Sequence, residues 1–215
     1  MNIAFFDMDK TLLSRSSTTL YLQYMWRNNM LSVREILTAV WVSVGYGLKL
    51  VDFPRVVALL SRSFRDGDAK ETRLLADRWV REDVLQYIAP RAVERIRAHQ
   101  DAGDEVWLLS AATQFAVVPV ARHLGVECRY TELEVVSERI TGRIVGEACY
   151  GSGKVTWAEC IARERGADLA DCMFYTDSIS DRPLLERVGH PVAVNPDSWL
   201  ERLARVRGWV VERFY

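Results

Sequence analysis

The sequence predicts an α/β fold built on a mostly parallel sheet, with an all-helical segment inserted after the first strand. Three observations carry this. Short apolar runs at 3–6, 105–109, 172–176 and 191–195 have the unbroken hydrophobicity of strands buried on both faces. Stretches with helical spacing separate them, and that alternation is the signature of an α/β fold. From Ser16 to Gln86 the alternation stops, because the patterning is helical throughout and no strand is recognisable.

The elements follow in order. The run at 3–6 is the first strand and leads into Asp7-Met8-Asp9-Lys10-Thr11. The inserted segment divides into helical pieces at 18–30, 33–50, 53–64 and 69–87, separated by Asn28-Asn29, by Asp52 with Pro54, and by Asp66-Gly67-Asp68. A helix over 91–100 follows Pro90, and the strand at 105–109 follows Gly103. Helices over 115–124 and 155–165 end at Gly125 and Gly166. Between them, the Val/Ile/Thr-rich stretch 129–145 reads as extended strands joined by a turn at Gly142. The domain division placed on this pattern is a core of 1–15 and 83–215, interrupted by a helical insertion of 16–82.

Composition narrows the function. With 215 residues the chain is about 1.4 domains long at about 150 residues per domain, as one core with an insertion would be. Hydrophobic residues at 49% with only 12 Gly and 6 Pro exclude a disordered or low-complexity chain. The 28 Lys and Arg nearly cancel the 29 Asp and Glu, so no global positive field attracts nucleic acid. The uncharged stretch 36–48 is shorter than the about 20 residues of a membrane span, so stable insertion is not expected, although contact with lipid is compatible with it. The four cysteines form no C-x-x-C pair, and no export signal opens the chain, which together predict a reduced, cytoplasmic protein.

The unusual polar residues collect at strand ends, where open parallel sheets bind ligands. The first strand delivers Asp7, Asp9 and Thr11, the second Ser110, and the third Asp177 followed by Asp181. Asp and Ser also commonly cap helices, and Ser110 alone is explained that way. Asp7 and Asp9 are harder to dismiss. Two carboxylates so close repel unless a cation holds them, and with Asp177 they form an oxygen donor set suited to Mg2+ rather than zinc. Lys154, in Gly151-Ser152-Gly153-Lys154, is one of only four lysines. A nucleotide P-loop does not fit, because Ala148 stands where the first glycine belongs and Val155 where Ser or Thr belongs. The loop instead brings backbone and ammonium to a phosphoryl group beside clustered carboxylates.

On these residues the chain resembles the haloacid dehalogenase (HAD) superfamily of phosphohydrolases, in its phosphoserine-phosphatase-like IB branch. Phe5-Phe6-Asp7-Met8-Asp9-Lys10-Thr11-Leu12 is similar to the first family motif, Leu108-Leu109-Ser110-Ala111 to the second, Gly153-Lys154 to the third, and the stretch from Tyr175 to Asp181 to the fourth. The resemblance implies a Rossmann-like core with a helical cap at the insertion. It implies Asp7 as nucleophile forming an aspartyl-phosphate and Asp9 as general acid and base. It further implies Mg2+ on the Asp7 carboxylate, the Asp9 backbone carbonyl and the Asp177 carboxylate. Ser110, Ala111 and Lys154 would bind phosphate, with Thr11 and Asp181 in support.

Two departures bear on chemistry. Lys10 stands where many relatives carry glycine, and either stabilises ionised Asp9 or points to solvent. Ser16 stands where phosphoserine phosphatases carry the Glu that meets the substrate ammonium, which argues against phosphoserine. The aromatic residues Tyr21, Tyr24, Trp26, Trp41, Tyr46 and Trp79 either pack the cap or line a pocket for a bulky or lipid-like phosphomonoester. Transfer to a second hydroxyl through the same aspartyl-phosphate, and a regulatory module that binds phosphate without turnover, are the alternative functions.

Overall fold

The computed structural model describes residues 2–30 and 67–215. The predicted pieces at 33–50 and 53–64, and the apolar stretch 36–48, lie outside the described residues.

Six strands form one sheet in which every neighbouring pair is parallel. They are β1 (Ile3–Phe6), β2 (Glu105–Thr113), β3 (Glu127–Thr131), β6 (Met173–Thr176), β7 (His190–Val194) and β8 (Val210–Glu212), in the spatial order β3-β2-β1-β6-β7-β8. A hairpin of β4 (Leu133–Val136) and β5 (Arg139–Ile144) stands apart. The α/β class read from the sequence is therefore the class observed.

Strand β1 shows how the layers are made. Its side chains alternate across the sheet, so Ala4 and Phe6 enter one core while Ile3 and Phe5 enter the other, and all four are fully buried. On the first face lie α3 (Pro90–Asp101) and α4 (Gln114–Leu124), contributing Ile96 and Val117, and the same core extends through Leu20 and Trp79 to α1 (Ser17–Arg27) and to α2 (Ala69–Trp79), which packs on α4. On the second lie α5 (Ser152–Arg165), α6 (Arg182–Leu185) and α7 (Ser198–Arg207), contributing Ile161, Leu184 and Leu200. Each face supplies an apolar stripe that only the sheet can cover.

Several local readings are corrected. The predicted helix over 69–87 is α-helical only to Trp79, then takes a π turn at Val80–Val84 and a 3-10 turn at Leu85–Tyr87. The hairpin turns at Ser137 and Glu138, both left-handed at φ 49° and 60°, while Gly142 lies inside β5. A two-residue turn of type I′ has positive φ at both centres, and here tertiary bonds accompany non-glycine residues in that conformation. Ala69 N–H donates to the Glu138 carbonyl at 2.8 Å and Ile140 N–H to the Gly67 carbonyl at 3.0 Å. Helix α7 and strand β8 were not anticipated. Asp197 starts α7 by accepting from the N–H groups of Trp199 and Leu200, as an N-cap residue does.

Candidate active site

The interior strands β1 and β6 set the site. Asp7 leaves β1 with its backbone N–H bonded to the Tyr175 carbonyl at 2.9 Å, so its position is tied to the strand that carries Asp177. Helix α5 begins at Ser152 and delivers Lys154 in its first turn. Its ammonium lies 2.6 Å from Asp7 Oδ1 and 2.7 Å from Asp181 Oδ2, with the lysine side chain only 2% exposed. Thr176 Oγ1 donates a further bond to Asp181 Oδ2 at 2.7 Å. Gly153 permits this approach, since a Cβ there would stand 2.0 Å from the Ala148 carbonyl oxygen.

Thr11 joins the two acidic loops. Its hydroxyl accepts the Asp177 N–H at 3.0 Å and shares one proton between Asp7 Oδ2 at 3.4 Å and Asp177 Oδ1 at 3.5 Å. Asp9 faces elsewhere. Its two oxygens accept the Ser17 N–H at 2.8 Å and the Ser17 hydroxyl at 2.9 Å. Ser110, 1% exposed, lies on β2 two residues beyond the Leu108 that pairs with Phe6 of β1, and its hydroxyl accepts the Ala112 N–H at 3.2 Å. Ala111 follows it where the β2–β3 register shifts. Lys10 is exposed and left-handed at φ 57°.

The charges are poorly matched as they stand. Burial pushes the Asp7 carboxyl up to about 7, against the pull of Lys154, and burial with the nearby Asp7 pushes Asp177 up to about 8. Burial also raises Asp9, although Ser17 counters it. For Lys154 burial opposes the charge, but Asp181 and Asp7 outweigh it and hold the ammonium above the ordinary lysine range. Asp7 and Asp181 thus share a single ammonium, and Asp177 has no bonded cation among the described residues.

That deficit fits a divalent cation. Among the described residues no three His, Cys, Asp or Glu side chains converge as a ready ligand set. Mg2+ does not need one, because it keeps several waters and takes one or two carboxylates. Lys154 takes Asp7 Oδ1 and Asp181 Oδ2, whereas Asp7 Oδ2 and Asp177 Oδ1 both face the Thr11 hydroxyl, which brings those two carboxylates together as the candidate pair.

Sequence reading brought forward Asp7, Asp9, Thr11, Ser110, Ala111, Lys154, Asp177 and Asp181, and of these Asp7, Thr11, Lys154, Asp177 and Asp181 form one bonded cluster. It missed Ser17, and it quoted Thr176 and Asp197 within motifs without giving either a role. The signal for Ser17 was available: a serine at a helix start, near in sequence to a carboxylate. Asp197 accepts the Ile179 N–H at 2.9 Å and gives its own N–H to the Asp177 carbonyl at 2.8 Å, contacts between separate strand ends that spacing does not reveal.

A parallel sheet carrying a carboxylate at the end of β1, a lysine on a later helix and an acidic loop after β6 defines a class. The family profile of haloacid dehalogenase-like hydrolases matches residues 4–186, and the chain belongs to that family. It is 33% identical over 216 residues to a phosphoserine phosphatase of Mycobacterium tuberculosis, covering 98% of this chain and 70% of that protein. It is 32% identical over 223 residues to a histidinol-phosphatase of Neisseria meningitidis, covering 99% of both. A crystal structure of a Bordetella pertussis protein of unknown function superposes with a TM-score of 0.90 at 28% identity, covering 100% of this chain and 99% of that one.

Proposed function

We propose that this hydrolase cleaves a phosphomonoester through an aspartyl-phosphate on Asp7, with Mg2+ as cofactor. The observation that carries the reading is the buried Lys154 ammonium shared by Asp7 and Asp181, with Asp9 held two residues beyond Asp7 by a different partner. Relatives named as phosphatases support it.

In the first step an Asp7 oxygen forms a bond to phosphorus as the bond to the leaving oxygen breaks, and Asp9 gives that oxygen its proton. Burial favours the protonated Asp9 this requires. In the second, Asp9 takes a proton from water, the water oxygen bonds to phosphorus, and Asp7 is released as carboxylate. Lys154 offsets the negative charge of nucleophile and phosphoryl group throughout. The Ser110 hydroxyl and the Ala111 N–H hold phosphoryl oxygens, Thr11 fixes the spacing of the two acidic loops, and Asp181 keeps Lys154 in place. The Asp7 and Asp177 carboxylates and the Asp9 carbonyl would hold Mg2+, which neutralises charge between anionic nucleophile and anionic substrate.

We take residues 16–82 as a cap over this core, with specificity set there. Ser16 offers no carboxylate to a substrate ammonium, so phosphoserine is expected to be a poor substrate. No helix among the described residues is long and apolar enough to cross a membrane. All four cysteines are free, which suits a cytoplasmic setting.

Hydrolysis of an aryl phosphate with Mg2+ and with EDTA, beside Asp7→Asn and Asp9→Asn, tests the chemistry. Loss in EDTA and in both variants is expected, and equal rates in wild type and Asp7→Asn would overturn it. A panel of phosphoserine, histidinol phosphate, short alkyl phosphates and lysophosphatidic acid then ranks substrates. A strong preference for the small compounds removes the lipid reading.

A further inference from the structure

The mechanism leaves unused the segment after β8, which reaches the catalytic edge. Tyr215 donates its hydroxyl to the Lys10 carbonyl at 2.8 Å, on the loop that carries Asp7 and Asp9. The residue it grips is the left-handed Lys10, φ 57°, a conformation that a non-glycine side chain holds at some cost.

The same segment is tied to the opposite loop. Phe214 is buried against the first core and gives its N–H to Asn195 Oδ1 at 3.0 Å, while the Asn195 N–H donates to the Glu212 carbonyl at 3.0 Å. Two residues on, the Asp197 N–H meets the Asp177 carbonyl at 2.8 Å, and Asp177 returns through its own N–H to Thr11 at 3.0 Å. Lys10, Tyr215, Phe214, Asn195, Asp197, Asp177 and Thr11 therefore close a ring around the rim of the site.

We infer that Tyr215 is a positioning residue that holds the nucleophile loop at a fixed distance from Asp177, so that both carboxylates meet one divalent cation. This rests on the proposed roles of Asp7 and Asp177. Its anchoring neighbour, Phe214, carries the packing, whereas Tyr215 is 54% exposed and can be altered without opening the core.

Tyr215→Phe removes only the hydroxyl. Calorimetric titration with Mg2+ alone is expected to show affinity up to about tenfold weaker than wild type, the range of one hydrogen bond, with the melting temperature lowered by no more than the few degrees one such bond is worth. Amide hydrogen exchange is expected to quicken at Lys10, Thr11 and Leu12. Tyr215→Ala should match Tyr215→Phe, and a loss confined to Tyr215→Ala would overturn the proposal in favour of ring packing. If wild type hydrolyses phosphomonoesters with Mg2+ while Tyr215→Phe keeps both its affinity and its exchange rates, the positioning role falls and the proposed function stands. If wild type neither hydrolyses nor binds Mg2+, yet exchange at the loop quickens in Tyr215→Phe, the loop bond stands and the function and metal reading fall.

Discussion

Ser17 holds both carboxylate oxygens of Asp9, one through its backbone N–H at 2.8 Å and one through its hydroxyl at 2.9 Å. The same residue opens α1, the first helix of the inserted segment. The proposed proton donor is therefore fastened to the point where the chain leaves the core, and its acidity depends on that joint.

Ser17→Ala follows directly. The hydroxyl bond favours the ionised carboxylate, so removing it raises the Asp9 carboxyl further. Leaving-group protonation needs the protonated form, so the alkaline limb of kcat/KM against pH is expected to move upward. An alkyl phosphate should show this more than an aryl phosphate, whose leaving group needs less protonation. An unmoved limb with both substrates would remove Asp9 as the titrating acid.

Replacing Lys154 leaves buried carboxylates without a partner. Lys154→Met is expected to cost about 3–5 kcal/mol, the range for breaking a buried pair on one side. At about 2–4 °C per kcal/mol for a chain of this size, the melting temperature should fall by about 6–20 °C. Adding Asp181→Asn should recover part of that stability and none of the activity. A double variant no more stable than Lys154→Met would contradict the pairing.

Metal-free protein should be more stable near pH 6 than near pH 8. The folded-state values of Asp7 and Asp177, about 7 and about 8, lie above the ordinary 3.8, so the folded protein binds more protons than the unfolded chain in between. Their stabilising contribution is fully present below pH 3.8 and is lost as pH rises through 7 and 8. In EDTA, Asp177→Asn at pH 8 is expected to melt above wild type, by about 2–4 °C for each kcal/mol relieved. Mg2+ should reverse the wild-type trend, and calorimetry in buffers of different ionisation enthalpy should detect protons released on binding.

Gly153→Ala tests the approach of α5 to the site. The added Cβ meets the Ala148 carbonyl oxygen at 2.0 Å, a backbone atom that cannot turn aside. The first turn of α5 must shift and carry Lys154 with it. Activity is expected to fall by at least tenfold, with lower thermal stability; wild-type values for both would show that the loop yields freely.

Much of this was legible beforehand because the residues concerned obey local rules. Ile3, Ala4, Phe5 and Phe6 form a buried run whatever surrounds them, and Asp7 and Asp9 are close enough in sequence to imply a cation. What escaped reading depends on partners far along the chain. Residues 210–212 become a strand by pairing with β7, and Ser137 and Glu138 turn left-handed because Gly67 and Ala69 meet the hairpin. The two acidic loops mark the boundary: their meeting at one sheet edge follows from the strand-end rule, whereas the bond between Thr11 and Asp177, 166 residues apart, is recorded by no local pattern.

The strand order has a consequence for how the protein is made. Strand β1 leaves the ribosome before the other strands of the sheet yet ends between β2 and β6, so its entirely apolar side chains wait for both neighbours. Until Met173–Thr176 has been synthesised, one edge of Ile3–Phe6 lacks its backbone partner and the Asp7 N–H lacks the Tyr175 carbonyl. The nascent chain therefore carries an adhesive edge until β6 has been made, the interval in which a chaperone would matter to it most.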